Sequence, residues 1–105
     1  MGWENGIVEH LKTRNKIKNM MKEAIRTKFN ELHKAFTEDT DLKGYSIELL
    51  GSNEIEINLQ KIIIEYDDVI NQLENEKRID LEIATQENIN DIVEDIIETK
   101  IYHLF

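Results

Sequence analysis

The sequence predicts an α+β fold: a long N-terminal helix, a three-stranded antiparallel sheet and a C-terminal helix, packed as a two-layer sandwich in a single domain over residues 1–105. Three observations lead there. Apolar residues recur at 3.6-residue spacing at both ends of the chain. Between those ends they alternate with polar residues. The changes of period fall where Gly and short polar side chains gather. A chain of this length supports one hydrophobic core and not two.

The first element is a helix over about residues 7–36. Ile7, Leu11, Met21, Ala24, Ile25, Phe29, Leu32 and Phe36 share one face, and the stretch contains no Gly or Pro. Arg14 and Lys18 stand on that face between Leu11 and Met21. Two readings fit them: side chains that bury their methylenes and keep their charge wet, or first turns that project past the core to meet a partner. Thr37–Gly44 is polar and ends in Gly, so a loop follows.

The sheet is expected over about residues 45–84. Tyr45, Ile47 and Leu49 alternate with Ser46 and Glu48; after the turn Gly51-Ser52-Asn53, Ile55, Ile57 and Leu59 alternate with Glu54, Glu56 and Asn58. The alternation changes phase at Gln60-Lys61, which suits a bulge in a long second strand running on through Ile62 and Ile64. Asp67–Lys77 is read as loop, although Val69, Ile70 and Leu73 also fit a helical stripe. Ile79, Leu81 and Ile83 alternate with Asp80 and Glu82 as the third strand. Thr85 is placed to cap a last helix over about residues 86–102, with Ile89, Ile92, Val93, Ile96, Ile97 and Ile101 on one face.

Composition narrows the function classes. There is no Cys, so a disulfide scaffold and a thiolate zinc site are excluded. The opening residues lack the basic and apolar runs of a signal peptide, Gly2 lacks a Ser or Thr at position 6 for myristoylation, and no apolar run reaches membrane-spanning length, so a soluble cytoplasmic protein is expected. The abundance of Ile, Asn, Lys and Glu with no Pro points to AT-rich coding, as in a low-GC bacterium or its phages.

No constellation carries chemistry. Asp39-Thr40-Asp41-Leu42-Lys43-Gly44 starts like a calcium-binding EF-hand loop, but Lys43 and Leu50 stand where oxygen ligands are required. His10, His33 and His103 lack the helical spacing of a metal pair. Ser46 and Ser52 lie outside any nucleophile elbow, and Gly2, Gly6, Gly44 and Gly51 form no phosphate-cradling cluster. Neighbouring acids such as Asp67-Asp68 point apart. A non-enzymatic protein without cofactor or metal is the expectation.

The remaining signal is charge. Up to residue 36, Lys12, Arg14, Lys16, Lys18, Lys22, Arg26, Lys28 and Lys34 stand against Glu4, Glu9, Glu23 and Glu31, a net of +4; the rest carries −13, giving −9 overall. The bland account is that the basic helix neutralises the acidic sheet. A functional account makes Glu54, Glu56, Glu65, Asp67, Asp68, Glu74, Glu76, Asp80 and Glu82 a surface whose carboxylates stand in for phosphates. Such a surface would occlude the basic groove of a protein partner, such as a nucleic-acid-binding enzyme. The alternative is a nucleic-acid-binding or antitoxin/immunity-type regulator contacting its partner through Lys12, Arg14, Lys16, Lys18 and Lys22. The net charge argues against direct nucleic-acid binding. A homodimer through the long helix fits both accounts, with Arg14 and Lys18 setting register.

The segment Tyr45-Ser46-Ile47-Glu48-Leu49, the turn at Gly51, the Ile-rich run Ile62–Ile64 and the closing amphipathic helix resemble small acidic phage inhibitors, notably anti-CRISPR proteins acting on Cas9. The resemblance covers about the last sixty residues. It implies a non-enzymatic inhibitor of a CRISPR effector with no cofactor.

Overall fold

A computed structural model describes residues 2–105 and has the α+β architecture. Helix α1 (Trp3–Glu38) is followed by a short 3-10 turn (Thr40–Leu42), strands β1 (Ile47–Leu50), β2 (Glu54–Ile57) and β3 (Gln60–Ile63), helix α2 (Tyr66–Asn71) running into a π-helical turn (Gln72–Glu76), and helix α3 (Gln86–Leu104). The sheet is an antiparallel meander in the order β1-β2-β3. Its inner face, with Ile55, Ile57 and Ile62 buried, packs beneath the helices; Ile17, Met21, Ala24 and Ile25 of α1 and Ile89, Ile92, Val93, Ile96 and Ile97 of α3 complete the core.

Helices α1 and α3 run parallel. Gln86 Nε2 donates to the Met20 carbonyl at 2.8 Å and Lys28 Nζ donates to Glu94 at 3.0 Å, both across a sequence separation of 66. Lys28 lies between Glu31 and Glu94 with its side chain 17% exposed. The Glu94 hydrogen bond holds its pKa above the usual lysine value; burial opposes this, and Glu31 adds to the rise. The N-terminus of α3 carries the expected cap: the Thr85 hydroxyl accepts from Asn88 N, and Asn88 Oδ1 accepts from Thr85 N.

Three expectations for the middle of the chain are corrected. The phase change at Gln60-Lys61 is a reversal and not a bulge: Asn58 and Leu59, at φ 49° and 69°, form a two-residue turn that pairs Ile57 with Gln60. The third strand is therefore Gln60–Ile63. Asp67–Lys77 is mainly helical, because Val69 and Leu73 are buried one helical turn apart. The segment Ile79–Ile83 is not a strand. It follows a Schellman-type stop in which Arg78 takes φ 54° and Ile79 N donates to the Leu73 carbonyl at 2.8 Å. Ile79 and Leu81 pack on the core from an irregular segment, and Ile83 stands 71% exposed.

The long axis of the molecule is 60 Å, against 25 and 20 Å in the other directions. A helix of 36 residues explains it, since at 1.5 Å per residue it is about 54 Å long. The helix starts earlier than the periodicity suggested, at Trp3, and every described residue up to Lys12 is exposed. The first turns overhang the body.

Candidate functional site

The sheet's outer face is where period-2 alternation puts the polar residues of β1 and β2. Register places Glu48 opposite Glu56, Glu56 opposite Lys61, and Glu54 opposite Ile63. Two carboxylates directly across a strand pair repel. On this face Lys61 Nζ lies 4.0 Å from Glu54 Oε1, and Lys100 lines a surface depression with Lys61, Ile63 and Glu65. Glu54 and Glu56 are half-buried and Glu48 is exposed.

The other seven candidate acids do not join them on the strands. Glu65 precedes α2, Asp67 and Asp68 occupy its first turn, where the helix dipole favours negative charge, Glu74 and Glu76 lie on the π-helical turn, and Asp80 and Glu82 lie on the segment before α3. All seven are exposed. They belong to one stretch of chain around the base of the overhang, held there by three contacts. The Arg14 guanidinium sits 4.6 Å from the centroid of the Tyr66 ring, with Lys18 Nζ at 5.5 Å, and Lys16 Nζ donates to the Glu82 carbonyl at 2.9 Å.

Those contacts place Arg14 and Lys18 themselves, while the turns before them project past the core. Both cations lie over an aromatic face, so their place on the apolar stripe is a packed one, with cation–π attraction of about 0.5–1 kcal/mol for an exposed pair. Burial holds the Tyr66 hydroxyl above the usual tyrosine pKa; Arg14 pulls the other way, and Asp67 and Glu74 add to the rise. Of the basic candidates, Lys12 pairs with Glu9 at 3.7 Å, and Lys22 has no ion pair among the described residues. It lines a shallow depression of about 330 Å³ with Lys18, Ser52 and Asn53. The basic set is thus spread along the helix and largely engaged within the molecule.

The acidic set is not. Among the described residues, the ion pairs engage Glu9, Glu23, Glu31, Glu54 and Glu94, and only Lys28–Glu94 joins the basic helix to the acidic remainder. Of the nine candidate acids Glu54 alone has a cation within 4.0 Å. Direct pairing by the basic helix therefore does not neutralise the acidic remainder.

The loop that begins like a calcium site is a turn, in which Asp39 Oδ1 accepts from Asp41 N at 2.9 Å. No cluster of three or more His, Cys, Asp or Glu suited to a metal exists among the described residues, and no described helix is long and apolar enough to cross a membrane. Sequence reasoning passed over two features. Glu48 belongs to the acidic outer face, which its alternation with Ile47 and Leu49 already implied. Trp3, which begins the exposed stripe with Ile7 and Leu11, lay outside the helix expected over about residues 7–36. The chain matches no protein-family model, no curated protein and no solved structure.

Proposed function

We propose that this chain is a non-enzymatic binding protein whose acidic surface engages the basic groove of another protein, as an inhibitor occupying a nucleic-acid site would, a CRISPR effector being one such target. The observation carrying this reading is the unpaired state of its acids: among the described residues, eight of the nine candidates have no cation within 4.0 Å, while the basic helix is held to Tyr66 and to the Glu82 carbonyl. Unneutralised carboxylates produce a negative field that raises association rates toward a cationic surface and weakens with salt. Glu54 and Glu56 stand on a rigid strand of the sheet; the acids from Glu65 to Glu82 extend the charge around one end of the body.

The nucleic-acid alternative has less support, since Arg14, Lys16 and Lys18 already have partners within the chain. The test is a pull-down with the purified chain against CRISPR effectors and other nucleic-acid enzymes, followed by competition with their nucleic acid. Glu54→Lys/Glu56→Lys and Asp67→Lys/Asp68→Lys are expected to weaken capture at least tenfold. Capture unchanged by both double variants, or a DNA or RNA complex in a low-salt gel shift, would sink the proposal.

A further inference from the structure

We infer that the depression between α1 and the β1–β2 turn is a binding site for a small organic phosphate, a monoester whose phosphoryl group meets Lys18 and Lys22 and whose apolar body rests on the core beneath. None of the acids in the proposed function takes part, so either can fail alone.

Helical spacing builds the site. Positions 18, 21, 22 and 25 of α1 adjoin on one face, in two rows whose members stand four residues apart. Met21 and Ile25, 5% and 1% exposed, belong to the core and form the floor with Ile64 and the half-buried Tyr66; Lys18 and Lys22 make the rim. The opposite rim is the turn after β1, where Ser52 offers a hydroxyl and Asn53 an amide. Asn53 Nδ2 donates to the Ile64 carbonyl at 3.2 Å, which fixes that side chain against the floor. An apolar floor, a few convergent polar groups and a volume of about 330 Å³ suit a small molecule.

Charge selects the occupant. The chain has 22 Asp and Glu against 13 Lys and Arg, yet no carboxylate lines this depression. Neither lysine has an ion pair among the described residues. Elsewhere on α1 an acid stands three residues from the cation: Glu9 from Lys12, Glu23 from Arg26, Glu31 from Lys28. No acid stands three or four residues from Lys18 or Lys22. Like charges at that spacing repel, and here only a group from outside the helix relieves them. The cation–π contact of Lys18 with Tyr66, at 5.5 Å, engages one side of an ammonium that has three N–H donors. A phosphate monoester carries about −1.5 to −2 charge at pH 7 and matches both lysines, where a carboxylate matches one. Asp67 and Glu74 act on the Tyr66 hydroxyl, so the phosphoryl group is kept to the lysine end.

Phenyl phosphate, with inorganic phosphate as its polar half, tests this by amide NMR on the full chain. The expected result is saturable shifts of the Lys22, Ser52 and Asn53 amides with a Kd below about 1 mM, and binding about tenfold tighter than that of inorganic phosphate. Lys18→Met/Lys22→Met should weaken binding at least about tenfold. Lys12→Met/Lys34→Met, the same change of net charge away from the depression, should leave it unchanged. All four lysines are exposed, and an unchanged far-UV spectrum shows that each variant folds. No saturable shift up to about 10 mM phenyl phosphate overturns the inference. So do equal affinities for phenyl phosphate and inorganic phosphate, which would mean an adventitious ion only, equal weakening by the two double variants, or an oligonucleotide that shifts the same amides at lower concentration.

Discussion

Helix α1 carries one apolar stripe with two different surroundings. From Ile17 to Phe36 the stripe is closed over by the sheet and by α3; from Trp3 to Leu11 the same face stands about half or more exposed and is not part of the core. The boundary falls at Arg14 and Lys18, which cover Tyr66. Periodicity reports that a helix has an apolar side. It does not report whether this chain or another molecule covers that side. The two cations are the sequence's mark of the boundary, since packed charge belongs at the edge of a core where its head stays wet.

The comparison breaks most readily on a pair of substitutions. Ile25→Ala removes a side chain that is 1% exposed and should cost about 2–5 kcal/mol, while Leu11→Ala at 50% exposure should change the stability by less than about 0.5 kcal/mol. Urea midpoints read both; equal losses would mean that the overhang is part of the folding unit. The boundary itself should show a smaller effect. Arg14→Ala removes the closer cation from Tyr66 and should cost about 0.5–1 kcal/mol, and Tyr66→Leu in the same background should show the two effects to be non-additive.

Alkaline pH sharpens the boundary further. The folded-state pKa of Tyr66 lies above its ordinary value of 10.0 and that of Lys28 above 10.5. In both cases the folded state holds the proton more tightly. Their contributions are therefore fully present below pH 10 and are lost as pH rises through the folded-state values. Tyr66→Phe should shallow the fall in melting temperature above pH 10 and leave it unchanged near neutrality; an unchanged alkaline slope would contradict the burial assigned to this ring.

What could be read from residues alone follows the physics of each element. The terminal helices were legible because their stripes are long, and Thr85 marked its cap because Ser and Thr side chains satisfy free N–H groups. The hairpin of β1 and β2 was legible from alternation across Gly51. The second turn was not, because Asn58-Leu59 is not an Asn-Gly pair. Leu at φ 69°, with its side chain 83% exposed, is a costly choice for a left-handed position, so the phase change passed for a bulge. Ile79–Ile83 alternates like a strand, but β3 forms the sheet's third strand and the segment serves as an irregular lid on the core. The acids were legible as a set but not in space: register gathers Glu48, Glu54 and Glu56, and the fold of the chain after Ile64 moves the other seven to the base of the overhang.

The constant separation of 66 residues between α1 and its parallel neighbour α3 bears on how the molecule assembles. The strands and α2 are joined by short turns and close small loops, whereas the helix pair must close a loop of more than sixty residues, the slower event in chain-entropy terms. The meander and α3 are therefore expected to gather first and the basic helix to be laid on last. In chevron kinetics, Ile55→Val should slow folding while Ile25→Val should mainly speed unfolding; the reverse pattern would show that α1 nucleates the fold. An order of assembly that adds α1 last leaves its overhang free until the rest of the chain is in place.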